Sequence, residues 1–165
     1  MKKYELTDDS ITFMGRKLFR IRAIRSFNDV AVGDLGGYIE KEENLSHDDY
    51  AWISDYACIY DDAWISGKAC ISGNACISGN ARISGNACIH SGADYLCFQG
   101  LGSKNRNTTF FKCKDGHIHV SCGCFSGNLA EFETKVKKTH SDSKYAKEYL
   151  ACIEVVKIHF KEENK

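Results

Sequence analysis

The residues richest in chemical potential lie together at Gly100-Leu101-Gly102-Ser103-Lys104-Asn105-Arg106-Asn107-Thr108-Thr109-Phe110. Gly100 and Gly102 allow close backbone approach to a ligand. Lys104 and Arg106 supply positive charge, and Ser103, Asn105, Asn107, Thr108 and Thr109 supply hydrogen bonds. That mixture suits a phosphate or a carboxylate. The Gly-x-x-x-x-Gly-Lys-[Ser/Thr] spacing of a P-loop is absent, and the plain alternative is a polar turn between strands. Arg20 and Arg22 offer a second source of charge, either for an anion or as a solvated face. Phe110, Trp52 and Trp64 are the aromatics suited to stack on a base.

His117-Ile118-His119 and Cys122-Gly123-Cys124 carry metal-ligand residue types. On a regular strand the two histidines share one face and the two cysteines the other. Four ligands then converge only if a bulge or Gly123 turns the chain, and structural zinc more often uses Cys-x-x-Cys. The sequence therefore commits no metal ligand, no catalytic residue and no cofactor. A cysteine nucleophile at Cys122 or Cys124 needs the same convergence.

Composition narrows the class. The 165 residues carry no net charge, but the charge is unevenly spread: +2 over residues 1–34, −6 over 35–94 and +4 over 95–165. An acidic middle argues against general nucleic-acid binding, which needs one strong basic patch. No apolar run is long enough to span a membrane, and no apolar run follows Met1-Lys2-Lys3 as in an export signal. The expected location is the cytoplasm, where the nine cysteines stay free thiols.

The elements that must position these groups begin with a repeat. Hexads align from Leu35 to Asp94, most regularly as ISGKAC from Ile65, ISGNAC from Ile71, ISGNAR from Ile77 and ISGNAC from Ile83. A fixed short period marks a solenoid. Each Ala-x-Ile-Ser piece alternates as a short strand, with Ala and Ile inward, Cys, Trp or Arg outward, and Gly-Asn or Asp-Asp as the turn. Upstream, SITFMGRKLFRIRAIRSF reads as a hairpin turning near Met14-Gly15-Arg16-Lys17. Downstream, YLCFQGLG reads as a strand. NTTFFKCK and HIHVSCGC read as a hairpin about Asp115-Gly116. Asn128 to Glu131 has capping-box spacing for one helix. A second helix, from near Ser143, puts Tyr145, Tyr149, Cys152, Ile153, Val156 and Phe160 on one stripe. The expected organisation is an N-terminal β-hairpin cap (1–34), the repeat (35–94) and an α+β module of two or three strands and two helices (95–165).

The repeat resembles the hexapeptide-repeat family, whose fold is a left-handed parallel β-helix with three hexads to a coil. Lys41 and His47 depart from it, standing where an aliphatic residue belongs. The resemblance implies a mainly β fold: a β-helix of about three coils between the hairpin cap and the α+β module. It also implies outward files Trp52-Cys70-Cys88, Cys58-Cys76 and Trp64-Arg82, and a homo-oligomer, with a trimer favoured. With GDLGGYIEKEENLS, GLGSKNRNTTFFKCKDG and VSCGCFSGNLAEFETKV, the chain looks like small hexapeptide-repeat proteins of bacteria, phages and mobile elements.

Three functions stand side by side. The first is a non-enzymatic oligomer sequestering a small anionic, nucleotide-type ligand, as a phage anti-defence protein would. The second is a scaffold or inhibitor that binds a host protein through Trp52, Trp64, Tyr56 and Tyr60. The third is the family's acyltransferase activity, for which His47 and His90 are the only histidines in the repeat.

Overall fold

Turn residues cut the repeat into very short strands. In the computed structural model, which describes residues 1–161 and leaves 162–165 outside the described residues, Asp55, Asp61, Gly67, Gly73, Gly79 and Gly85 all have φ between +55° and +69°. Glycine takes this left-handed conformation freely, and aspartate tolerates it better than most residues. Each such turn ends a strand after two residues.

The chain opens with β1 (Tyr4–Phe13) and β2 (Arg16–Ala23), paired antiparallel, followed by β3 (Leu35–Ile39). The repeat then supplies β4 (Trp52–Ile53), β5 (Cys58–Ile59), β6 (Trp64–Ile65), β7 (Cys70–Ile71), β8 (Cys76–Ile77), β9 (Arg82–Ile83) and β10 (Cys88–Ile89). Pairing is parallel and joins residues eighteen apart: Trp52 to Cys70 to Cys88, Cys58 to Cys76, and Trp64 to Arg82.

These pairings correct the expected architecture. The repeat forms no single continuous left-handed β-helix. Its strands fall into separate small sheets, of order β1-β2-β3-β5-β8, β10-β7-β4 and β6-β9. The positive-φ turns stop each ladder before it can pass into the next. The hairpin also continues a sheet, since β2 runs antiparallel to β3 and β3 parallel to β5, and its Tyr4 and Ile21 join the core of the repeat. Near Lys41 and His47, where the aliphatic pattern lapses, a 3-10 turn at Glu42–Asn44 replaces a strand. Asn44 is fully buried there and donates to the carbonyls of Asp61 (3.1 Å) and Ala63 (2.9 Å).

Inside the repeat, the isoleucines from Ile53 to Ile89 are 0% exposed and the alanines from Ala51 to Ala87 at most 1%. Burying each isoleucine contributes roughly 1.5–3 kcal/mol.

Four further strands, β11 (Tyr95–Leu101), β12 (Arg106–Lys112), β13 (Ile118–Cys122) and β14 (Phe125–Asn128), form an antiparallel sheet in chain order. The sequence offered two or three strands here; the fourth exists because Gly123-Cys124 reverses the chain. α1 (Leu129–His140) and α2 (Lys144–His159) follow. The Asn128 side chain accepts the Glu131 N–H (2.8 Å), and the Glu131 carboxylate accepts the Asn128 N–H (2.9 Å), a reciprocal cap. Phe132, Val136, Tyr149, Ile153 and Val156 bury themselves against Phe110 and Val120.

Strand alternation joins the two halves. On β12, Phe110 belongs to the core beneath the helices, while its neighbour Phe111 belongs to the core of the repeat. No helix among the described residues is long and apolar enough to cross a membrane.

Candidate functional site: a basic seam between repeat and sheet

The loop from β11 to β12 turns through Gly102 (φ +70°) and Asn105 (φ +48°), closed by the Asn105 N–H donating to the Gly102 carbonyl at 3.2 Å. It is pinned to α2. The Gly102 N–H donates to the Glu148 carboxylate (3.1 Å), and the Tyr149 hydroxyl donates to the Leu101 carbonyl (3.3 Å). A Cβ at Gly102 would come within 2.9 Å of the Tyr149 ring, so the close packing requires glycine.

Arg106, the first residue of β12, leaves this loop over the Gly123 turn. A Cβ on Gly123 would lie 2.8 Å from the Arg106 Cζ, so the guanidinium rests on bare backbone. Two cavities meet at this arginine. One, of about 250 Å³, has an apolar wall of Phe125, Phe132, Val136 and Tyr149, with Ser103, Lys104, Lys135 and His140 around it. The other, of about 290 Å³, is polar: Asn105, Asn107, Ser121 and Gly123 face Asn80 and Arg82 of the repeat. Arg106 lines both.

Arg82 reaches the seam from β9. Its backbone N–H donates to the Thr109 hydroxyl at 3.0 Å, tying the repeat to β12. Its guanidinium lies 5.5 Å from the centroid of Trp64, its ladder neighbour. A third cavity, of about 370 Å³, shares Asn80 and Arg82 and extends the trough to Trp64. Lys41 there already pairs with Asp62 at 2.7 Å, and that pairing holds the Asp62 carboxyl below its ordinary range. Among the described residues, neither Arg82 nor Arg106 forms an ion pair, and neither do Lys104 and Lys135. Unpaired guanidinium groups beside amide and hydroxyl side chains can grip phosphate or carboxylate oxygens in a bidentate fork. Desolvation by burial raises the Tyr149 phenol far above its usual range, so that group is a neutral hydrogen-bonding wall at physiological pH.

The candidates read from sequence divide accordingly. Ser103, Lys104, Asn105, Arg106 and Asn107 line the cavities, with Gly102 at their base. Trp64, 37% exposed, stands at the far end of the trough. Thr108, Thr109 and Phe110 cannot reach a ligand, because all are at most 1% exposed. Thr108 is bonded to the Cys122 thiol, and Phe110 packs edge-on against Phe132. Trp52 packs edge-on against Phe27. Arg20 and Arg22 lie on the hairpin and are already paired, Arg20 with Asp9 (3.6 Å) and over Tyr38, Arg22 with Glu5.

No family model and no curated protein sequence matches this chain. The site therefore rests on its own geometry.

Sequence reasoning missed Asn80, Arg82, Ser121, Gly123 and the helix residues Lys135 and His140. Only Arg82 carried a signal: it is an arginine in a repeat slot that holds cysteine on either side, at Cys76 and Cys88. The others come together only through the packing of the sheet on the repeat.

Proposed function

We propose that this is a non-enzymatic binding protein that holds a small anionic, nucleotide-type ligand at the seam. The observation that carries this reading is the pair Arg82 and Arg106, two guanidinium groups on one polar cleft that form no ion pair among the described residues. The anionic group lies between them among Asn80, Asn105 and Asn107, and an apolar or aromatic part enters the adjoining cavity walled by Phe125, Phe132 and Val136. In this reading the protein is cytoplasmic and homo-oligomeric, with a trimer favoured, and it removes its ligand from circulation, as an anti-defence protein of a phage would. An acyltransferase reading draws no support from the histidines. His47 stacks on Tyr4 at 4.2 Å, His90 is bonded to Ser72 and Cys88, and neither lines a cavity described above.

Native mass spectrometry of the purified protein tests for retained ligand and oligomer size together. Calorimetry with inorganic pyrophosphate and a panel of nucleotides tests the chemistry. Binding weakens with salt, because Arg82 and Arg106 are exposed. Arg82→Cys and Arg106→Ala each weaken it roughly 10- to 150-fold, the equivalent of one charged hydrogen-bonding partner. A protein that carries no ligand and binds none of the panel ends this reading.

A further inference from the structure

A second cluster lies at the other end of β12, on the hairpin that joins it to β13. Cys113 follows β12 directly. Its N–H donates to the His117 carbonyl at 3.0 Å, and the Gly116 N–H donates back to the Cys113 carbonyl at 2.9 Å. The two residues therefore face each other across the closed end of the hairpin, with Gly116 at φ +85° making the turn. His119, two residues further along, projects to the same side as His117, and the two rings lie 5.9 Å apart. The sequence weighed these histidines beside Cys122 and Cys124 and committed none of the four as a ligand. In the fold Cys122 turns away to Thr108 and Tyr149 beneath the helices, and the cysteine that reaches the histidines is Cys113.

From this geometry we infer that Cys113, His117 and His119 form a binding site for a zinc-type divalent transition-metal ion. One ligand atom from each lies within 4.8 Å of the other two. A tetrahedral zinc ion at ordinary bond lengths spaces such atoms roughly 3.4–3.6 Å apart, so side-chain rotations of about an ångström close the site. Both histidines carry the second contact that metal-ligating imidazoles need. Asp115 holds the Nδ1 of His117, which leaves Nε2 as the free lone pair. Ser126 Oγ lies 2.8 Å from the Nε2 of His119, which leaves Nδ1. A thiolate with two imidazoles selects a borderline-soft ion such as Zn²⁺ over Mg²⁺ or Ca²⁺, which take oxygen ligands. A water fills the fourth position. Cys113 is 6% exposed and belongs to the core of the repeat, where it bridges Ala87. The ion would therefore lock the hairpin end onto the repeat.

The test uses the full chain, reduced and stripped of metal with a chelator, then titrated with Zn²⁺ and with Co²⁺. The expected result is one ion per chain, a thiolate-to-cobalt charge-transfer band with intense tetrahedral d–d bands, and a raised melting temperature. His117→Ala removes an exposed ligand without touching the core and weakens binding at least roughly 100-fold, as does His119→Ala. Asp115→Asn, which removes only the orienting contact, weakens it about 10- to 100-fold. Cys113→Ser abolishes the cobalt charge-transfer band. Binding that survives both histidine variants overturns the assignment, as does a cobalt spectrum without a thiolate band or binding lost only in Cys88→Ser and His90→Ala.

Discussion

Gly123→Ala separates the two jobs of the turn beneath Arg106. Gly123 sits at φ +59°, where a Cβ costs roughly 1–2 kcal/mol. For a chain of this size that lowers the melting temperature by about 2–8 °C. The same Cβ would lie 2.8 Å from the Arg106 Cζ and 3.1 Å from its Cδ. The guanidinium is the free end of a flexible, exposed side chain, so it swings away at little further cost to stability. The consequence falls on binding, since the displaced arginine no longer faces Asn105, Asn107 and Arg82. Gly123→Ala should then lose as much pyrophosphate affinity as Arg106→Ala, about 10- to 150-fold. A double-mutant cycle decides the matter, with stability from urea unfolding and affinity from calorimetry. The stability loss from Gly123→Ala should be the same with Arg106 or Ala at position 106. The affinity losses should not add, because both substitutions remove one group. Additive affinity losses, or full affinity in Gly123→Ala, would refute the claim that the bare turn exists to seat Arg106.

Two further outcomes probe the scaffold. Ile71 is fully buried in the middle strand of β10-β7-β4, so Ile71→Ala should cost about 2–5 kcal/mol and Ile71→Val only about 1; a loss below about 1 kcal/mol for the alanine variant contradicts a tightly filled interior. Lys3 is 0% exposed, donates to the carbonyls of Asp49 and Ala51 at 2.8 Å, and is pushed down to about 8 by desolvation. Below pH 8 both folded and unfolded chains carry its proton and its contribution is constant. From about 8 to about 10.5 only the unfolded chain holds it, so Lys3 adds stability as pH rises. Burial acts oppositely on Cys58 and Cys113, raised to about 11, which withdraw stability above pH 9. The stability of wild type minus that of Lys3→Met, followed by urea unfolding, isolates the lysine: it should climb by about 1 kcal/mol per pH unit between 8 and 10, and a flat difference would rule out the depressed lysine.

Alternation and turn chemistry made much of the local structure readable. Period-two spacing put Ala and Ile inside the repeat because a pleated strand offers each residue only two faces. Met14-Gly15, Asp115-Gly116 and the Asn128 cap were legible because their backbone demands or side-chain bonds are satisfied within a few residues. What joins distant pieces was not legible. That β2 would pair with β3 and carry the hairpin into a sheet of the repeat depends on which ladder edge is left open. Hexads spaced by six are equally compatible with one continuous ladder and with several that stop at their turns. The fourth strand was hidden because Gly123-Cys124 looks like part of a Cys-x-Cys motif until the chain reverses there.

The site shows the same division, and Arg82 shows why it matters. In the outward slot of the repeat, cysteine at 70, 76 and 88 is half-buried and small, whereas position 82 pairs with Trp64 in a ladder of its own. The arginine cannot be explained by ladder packing alone: its stack on Trp64 is an exposed cation–π contact worth about 0.5–1 kcal/mol. Arg82 lines one cleft with Asn80 and Arg106, and its charge also acts on the Asp62 carboxyl. An anion entering between the two arginines would gain from both guanidinium groups, a role that the contact with Trp64 does not supply. That is why changing position 82 to cysteine should leave stability within about 1 kcal/mol while anion binding falls. A variant that loses stability and keeps its affinity would make Arg82 part of the ladder and nothing more.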